Sequence, residues 1–314
     1  MPGPNDLTAR DALPAYTASS VTLAKLELLR KYLYGFCNAS QKGGPWYGLD
    51  LFAGSGLNMT PDGREVFGST MTMLSAEGAP SVQNAAERVV AIEVDPKRAT
   101  ALSERVKPFG ARAAVLVGDH EALLENALRL IPREALSFAV IDPEGFDTAW
   151  STVARLSTHR VHRNGWKMEQ LVLFPSWSVP RLQEEKHHAR VDRVFGSEDW
   201  KTILEQRFPK IQAVDVTLFG DVTVREIRDS PTITAEEAAL AWADLYAARF
   251  RDVLGYQHAQ AIPMGDQAGR LKYHLIFASD NDAGANIMRW LEAKGPRDMS
   301  AVDPEASLQP LFQI

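Results

Sequence analysis

The stretch Trp46-Tyr47-Gly48-Leu49-Asp50-Leu51-Phe52-Ala53-Gly54-Ser55-Gly56 decides how the rest of the chain is read. Its apolar half, Trp46 to Phe52, is too short for an ordinary helix and runs straight into a glycine turn. Such a run reads as a parallel strand buried on both faces. Glycines at 54 and 56 let the main chain bend sharply and admit a ligand with no Cβ in its way. A lone Gly-x-Gly is common in structural turns. Placed directly after a strand, it marks where an open α/β sheet binds its ligand.

Outward from this strand the pattern repeats. Upstream, Ser19 or Ser20 can cap a helix to about Asn38, in which Leu23, Leu26, Leu29, Leu33 and Phe36 recur at intervals of three and four. Downstream, residues 57–70 read as loop. Strands are expected at 87–96, 111–119, 136–146 and 169–176, separated by helices at about 70–87, 96–108, 120–130 and 148–159. The rhythm changes after 178. A polar helical stretch reaches 211, and 214–227 reads either as a hairpin about Gly220-Asp221 or as loop and a short strand. A helix at 233–254 can be capped by Thr234. Two strands, 256–264 and 270–279, close the pattern around a tight turn. The expected organisation is a flexible leader over 1–16 and an α/β domain over 17–280 with a helical insertion at about 178–254. A C-terminal helix and tail follow over 281–314.

Composition sets outer limits. The chain has 314 residues, 45% of them hydrophobic, which excludes wholesale disorder. No apolar run approaches the ~20 residues that cross a bilayer, and the start lacks a secretory pattern. One cysteine, Cys37, cannot form an internal disulfide or a cysteine zinc cage, so a cytoplasmic protein is expected. A net charge of −6, from 34 basic against 40 acidic residues, excludes a strongly cationic nucleic-acid coat but leaves room for a local basic patch.

Five strands alternating with helices and closed by an antiparallel pair match a Rossmann-like doubly wound seven-stranded sheet. This is the class I methyltransferase type, last strand antiparallel, here with helical additions. S-adenosylmethionine (SAM) is the cofactor this pattern implies. A dinucleotide fingerprint would want glycine at 59, where Met59 stands, and an acid ~20 residues beyond the turn, whereas Glu93 lies much further on.

Candidate site residues follow from strand ends. Asp50 would firm the loop or meet the methionyl end, while Ala53, Gly54 and Gly56 admit the cofactor. Glu93 can accept from both ribose hydroxyls, or is an ordinary helix-start acid. Asp119 can accept from an adenine amino group, cap the next helix, or do both, with His120 lining the ring. The segment Asp142-Pro143-Glu144-Gly145-Phe146 lies nearest a transferred methyl group. Asp142 and the Pro143 carbonyl would accept from a target amine, and Glu144 is a general base, a hydrogen-bond acceptor or a solvated turn residue. Phe146 is a substrate-binding candidate, but it comes one place later than the aromatic of the usual amine-methylating motif, which leaves base stacking open. Ser176 could wall the acceptor pocket. Arg155, Arg160 and Arg163 fall in a segment, 148–168, without Asp or Glu; they form either a nucleic-acid patch or a solvated helix end. No metal is expected, since the adjacent His187 and His188 diverge on a helix. The G-x-S-x-G elbow of serine hydrolases is missing.

The chain also resembles the three-Cys-motif partner proteins (TcmP), a bacterial family of methyltransferase-like fold. The matching pieces are Lys25, Tyr32 and Leu33 of the first helix, DLFAGSGLN at 50–58, Gly68-Ser69, IEVDP, IDPEGF, LVLFPS, Phe195-Gly196 with Trp200, and YHLIFAS, together spanning about 20–280. The family's Gly-Ser-Pro stands here as Gly68-Ser69-Thr70. The resemblance implies a SAM-dependent methyltransferase-like domain of poorly defined substrate, often considered with a cysteine-motif partner protein. Methyl transfer to an unidentified acceptor, nucleic acid being one candidate, is the expected function. The alternative is a non-catalytic Rossmann-like binding module serving a partner in a defence or repair system.

Overall fold

The computed structural model describes residues 6–40, 45–75, 85–161, 164–175, 178, 184–216, 222–228, 232–266 and 268–294. The first elements are β1 (Asp6–Thr8), β2 (Pro14–Thr17), α1 (Ser20–Ser40), β3 (Trp46–Asp50), β4 (Leu57–Met59), β5 (Glu65–Phe67) and α2 (Ser69–Ser75). An alternating series follows: β6 (Arg88–Glu93), α3 (Pro96–Val106), β7 (Ala113–Val117), α4 (His120–Leu128), β8 (Leu136–Ile141), α5 (Trp150–Ser157) and β9 (Glu169–Phe174). Then come α6 (His188–Phe195), α7 (Trp200–Arg207), β10 (Lys210–Val216), β11 (Val222–Arg228), α8 (Ala235–Asp252), β12 (His258–Gly265), β13 (Leu271–Ser279) and α9 (Asp282–Lys294).

Seven strands form one sheet in the order β12-β13-β9-β8-β3-β6-β7. β3 lies between β8 and β6 and is parallel to both. β7 and β9 extend the sheet in parallel on either side. β13 is antiparallel to β9 and to β12, so the last strand is reversed, as expected. This is the strand order of the class I methyltransferase fold, and the order reverses at β3.

The strands alternate between two apolar layers. In β6, Val89 and Ala91 face one layer while Val90 and Ile92 face the other. The first layer takes α1, α2, α3 and α9, through Leu29, Leu33, Met73, Leu102 and Met288. The second takes helices α4 to α8, through Leu124, Val153, Phe195, Trp200 and Trp242. Cys37 is buried on α1, and burial pushes its thiol up to about 12, which makes it a packing residue.

Three expectations need correction. The described part of the 1–16 leader is pinned: β1 and β2 join β4 and β5 in a second, four-stranded sheet. The anchor is Arg105 of α3. Its Nη1 donates to the carbonyls of Pro14 (2.7 Å) and Ser55 (2.6 Å), and its Nε and Nη2 donate to Asp11. A single buried guanidinium thus ties the leader to the glycine turn, a long-range bond with no local signature. Residues 57–70, read as loop, supply β4 and β5 to the same sheet. The insertion at 178–254 is not helical throughout, because β10 and β11 form the antiparallel hairpin that was one of the two readings.

Candidate functional site

A cleft of about 740 Å³ opens beyond the C-terminal ends of β3, β6 and β8, where the strand order reverses. Its floor is the glycine turn. Gly54 has φ +60° and Gly56 φ +81°, both left-handed. A Cβ at Gly56 would stand 2.8 Å from Leu102 Cδ1, whereas one at Gly54 would meet nothing within 4 Å. Gly56 is therefore fixed by packing as well as by conformation, and the space over Gly54 is open.

Glu93, at the end of β6, ties this turn to the next helix. Its Oε2 accepts from Gly54 N at 2.7 Å and its Oε1 from Asp95 N at 2.8 Å. Asp95 in turn caps α3, accepting from the amides of Lys97 and Arg98. Each Glu93 oxygen keeps a lone pair, and the side chain lines the cleft. The ribose reading and the structural reading are thus both available to one carboxylate.

Asp119 caps α4: Oδ1 accepts from Glu121 N and Ala122 N, each at 3.0 Å. Its side chain is 61% exposed, and Oδ2 lies 3.8 Å from His120 Nδ1. The His120 ring packs on Phe52 with centroids 4.5 Å apart. Burial holds it below the usual histidine range, so the ring is neutral. Its buried Nε2 has no hydrogen-bond partner. Two carboxylates with spare lone pairs, the His120 ring beside them and an open glycine floor fit an adenosyl group.

Asp50 does not face the cleft. It is fully buried, and Oδ2 accepts from Ser69 Oγ at 2.6 Å and Thr70 Oγ1 at 2.7 Å. Asp50 thus joins the end of β3 to the start of α2, and it does not line the cleft in which a methionyl end would lie. Burial pushes its carboxyl up to about 6, with Asp142 adding to the rise. Thr70, standing where the TcmP pattern has proline, acts here as a hydroxyl donor.

On the opposite wall, Asp142 closes β8 and is engaged by Lys25 of α1, whose Nζ donates to Oδ2. Both side chains and Pro143 line the cleft. Glu144 is 76% exposed; its Oε1 accepts from Tyr16 OH at 3.4 Å and lies 3.5 Å from Arg98 Nη1. The Arg98 guanidinium also stacks over the Tyr16 ring at 4.9 Å. Lys25, Tyr16, Arg98 and Arg193 line the cleft and were not anticipated there. Among the described residues, its charged lining comprises six carboxylates and three basic side chains.

Other expected acceptor residues are elsewhere. Phe146 is 3% exposed and meets Phe174 edge-on at 5.3 Å inside the second apolar layer, so it offers no ring to a base. Among the described residues, the cations of 148–168 are engaged by other groups of the chain. Arg155 makes a two-pronged pair with Glu125 at 2.6 and 3.0 Å. Arg160 is buried, with Nη1 donating to Trp166 O. Lys167 is bound to Asp280 and to Gly255 O. Neither Arg155 nor Arg160 lines the cleft. Arg163 and Ser176 lie outside the described residues.

No family model matches the chain, and no curated protein matches it. Among solved structures, the chain is similar to Trm1 from Pyrococcus horikoshii in complex with S-adenosyl-L-methionine, at 9% identity over 90% of this chain and 63% of that one, with a TM-score of 0.41. It is similar to the N-terminal domain of human METTL16 in complex with SAH at 11% identity over 80% and 68%, TM-score 0.35. The plantazolicin methyltransferase BpumL, in complex with SAH and a monoazolic desmethylPZN analogue, aligns at 11% identity over 83% and 86%, TM-score 0.35. Among the described residues, no helix is long and apolar enough to cross a membrane.

Proposed function

We propose that the chain is a SAM-dependent methyltransferase whose donor lies in the cleft lined by the glycine turn and Glu93. The observation that carries this reading is the Glu93 carboxylate, which braces the turn through Gly54 N and still presents lone pairs to the cleft. SAM supplies a methyl group on a sulfonium, displaced in line, so the protein's share of the work is placement. Glu93 accepts from the ribose hydroxyls, the free oxygen of Asp119 accepts from the adenine amino group, and His120 lies against the ring. The acid-rich lining complements a cationic ligand. Asp142 orients the acceptor. Kinship with the TcmP proteins, a cysteine-motif partner and a cytoplasmic setting belong to the same reading.

Calorimetric titration with SAM tests it. Glu93→Ala removes charge-assisted hydrogen bonds worth ~1.5–3 kcal/mol, a loss of roughly 10–100-fold in affinity. Unchanged affinity would remove the ribose assignment. Asp142→Ala should bind SAM and fail to transfer.

One observation favours a second reading, the non-catalytic binding module. Lys25 already holds the oxygen that a target amine would use, and an exposed Glu144 replaces the second proline of the amine-methylating pattern. Single-turnover transfer of labelled methyl into protein, RNA or DNA separates the two.

A further inference from the structure

We propose that the acceptor seat takes a primary alkyl ammonium and that Lys25 of this chain is its acceptor, so that the protein methylates its own Lys25. The inference rests on the SAM reading of the cleft and adds the acceptor to it.

Three observations converge. First, Lys25 Nζ donates to Asp142 Oδ2, at the sheet end where the Asp-Pro segment would present an oxygen to a target amine. Lys25 and Asp142 line the same cleft as Gly54 and Glu93, so the nitrogen shares the space assigned to the donor. Second, a separate cavity of about 20 Å³ adjoins Lys25, Ser69 and Asp142 and is otherwise walled by Leu26, Leu29, Val140, Ile141, Leu171, Leu173 and Leu275. A void of this size holds one water-sized group. The other walls are aliphatic, so a methyl group added to Nζ would meet carbon there. Third, with six carboxylates against three basic side chains, the cleft draws in cations and opposes phosphate. Lys25 is also held in place by α1, whose Ser19 cap and buried Leu26, Leu29 and Leu33 fix the helix against the sheet. The acceptor therefore carries no docking cost.

The step balances without another reagent. Lys25 Nζ first gives one proton to Asp142, which passes it on to solvent, and this frees the nitrogen lone pair. That lone pair forms the N–CH3 bond as the S–CH3 bond breaks, the electron pair of the broken bond stays on sulfur, and S-adenosylhomocysteine leaves. Methylation keeps the charge on Lys25, so the methylated side chain can remain paired with Asp142.

The full chain is incubated with SAM, SAM binding is measured on the same sample, and its peptides are mapped by mass spectrometry. The expected result is a gain of about 14 Da per methyl on the peptide carrying Lys25. Total methyl incorporation falls to background in Glu93→Ala and in Lys25→Arg. A readout without SAM tests the seat itself: Asp142→Asn frees Lys25, which then reacts several-fold faster with an amine-acylating ester. Bound SAM with Lys25 unmodified, incorporation that persists in Lys25→Arg, or unchanged acylation in Asp142→Asn overturns the proposal and leaves the SAM reading standing. Failure to bind SAM overturns both.

Discussion

The two walls of the cleft hold their carboxylates differently. On the β6–β7 wall, Glu93, Asp95 and Asp119 accept from main-chain amides at strand ends and helix starts. On the β8 wall, Asp142 and Glu144 are met by side chains 117 and 128 residues away, Lys25 and Tyr16. A main-chain amide at a strand end is placed by the fold itself, so any chain with this sheet presents it. A lysine or tyrosine arrives only because a distant helix or strand packs there. The first wall is thus general equipment of the fold, and the second is particular to this chain.

The largest expected effect lies behind the second wall, in the apolar layer that carries it. Phe146→Ala should cost about 3–5 kcal/mol of stability by opening a cavity beside Phe174 in the second apolar layer. Denaturant titration measures it. A Phe146 that served a base instead would lose little stability and much acceptor binding.

Next comes pH. Burial pushes Asp50 from 3.8 up to about 6 and Glu169 from 4.5 up to about 7. Glu169, on β9, accepts from Tyr32 OH and Ser279 Oγ in the same interior. For a carboxyl raised in this way the folded state binds the proton more tightly than the unfolded state. Stability is then full below the unfolded value and falls as pH rises through the folded one. The account expects a decline from near pH 4 to about 7, amounting to a few kcal/mol per group. Asp50→Asn and Glu169→Gln should each flatten part of that slope in thermal melts across pH. A slope unchanged in both variants would show that neither carboxyl is held as described.

The smallest expected effect concerns the dispersed basic segment. Arg155→Ala breaks a half-exposed pair with Glu125 and should change stability by no more than about 1 kcal/mol. Retention on immobilised RNA or DNA should not change. Loss of retention would show that the segment acts as a surface after all.

Much of the fold could be read in advance because alternating apolar runs and glycine or proline stops are local signals. The same holds for Glu93 and Asp119, whose positions follow from where their strands end. Lys25, Tyr16 and Arg98 could not be read that way. Lys25 is one polar residue on a helix whose apolar face was plain, and nothing near it in sequence points to Asp142. Arg155 and Arg160 show the converse case. Seen along the chain they are unopposed cations, but the carboxylate of Glu125, 30 residues away, engages Arg155 and burial encloses Arg160. Phe146 misled because its neighbours form a site motif, while its ring turns into the core.

The central claim is that the glycine turn and Glu93 cradle an adenosyl group. A crystal structure of the chain grown with S-adenosylhomocysteine tests it most directly. The account predicts ribose hydroxyls hydrogen-bonded to the Glu93 carboxylate, with adenine against His120. Density for the nucleoside away from Glu93, or a cleft that stays closed to it at saturating concentration, would contradict the account.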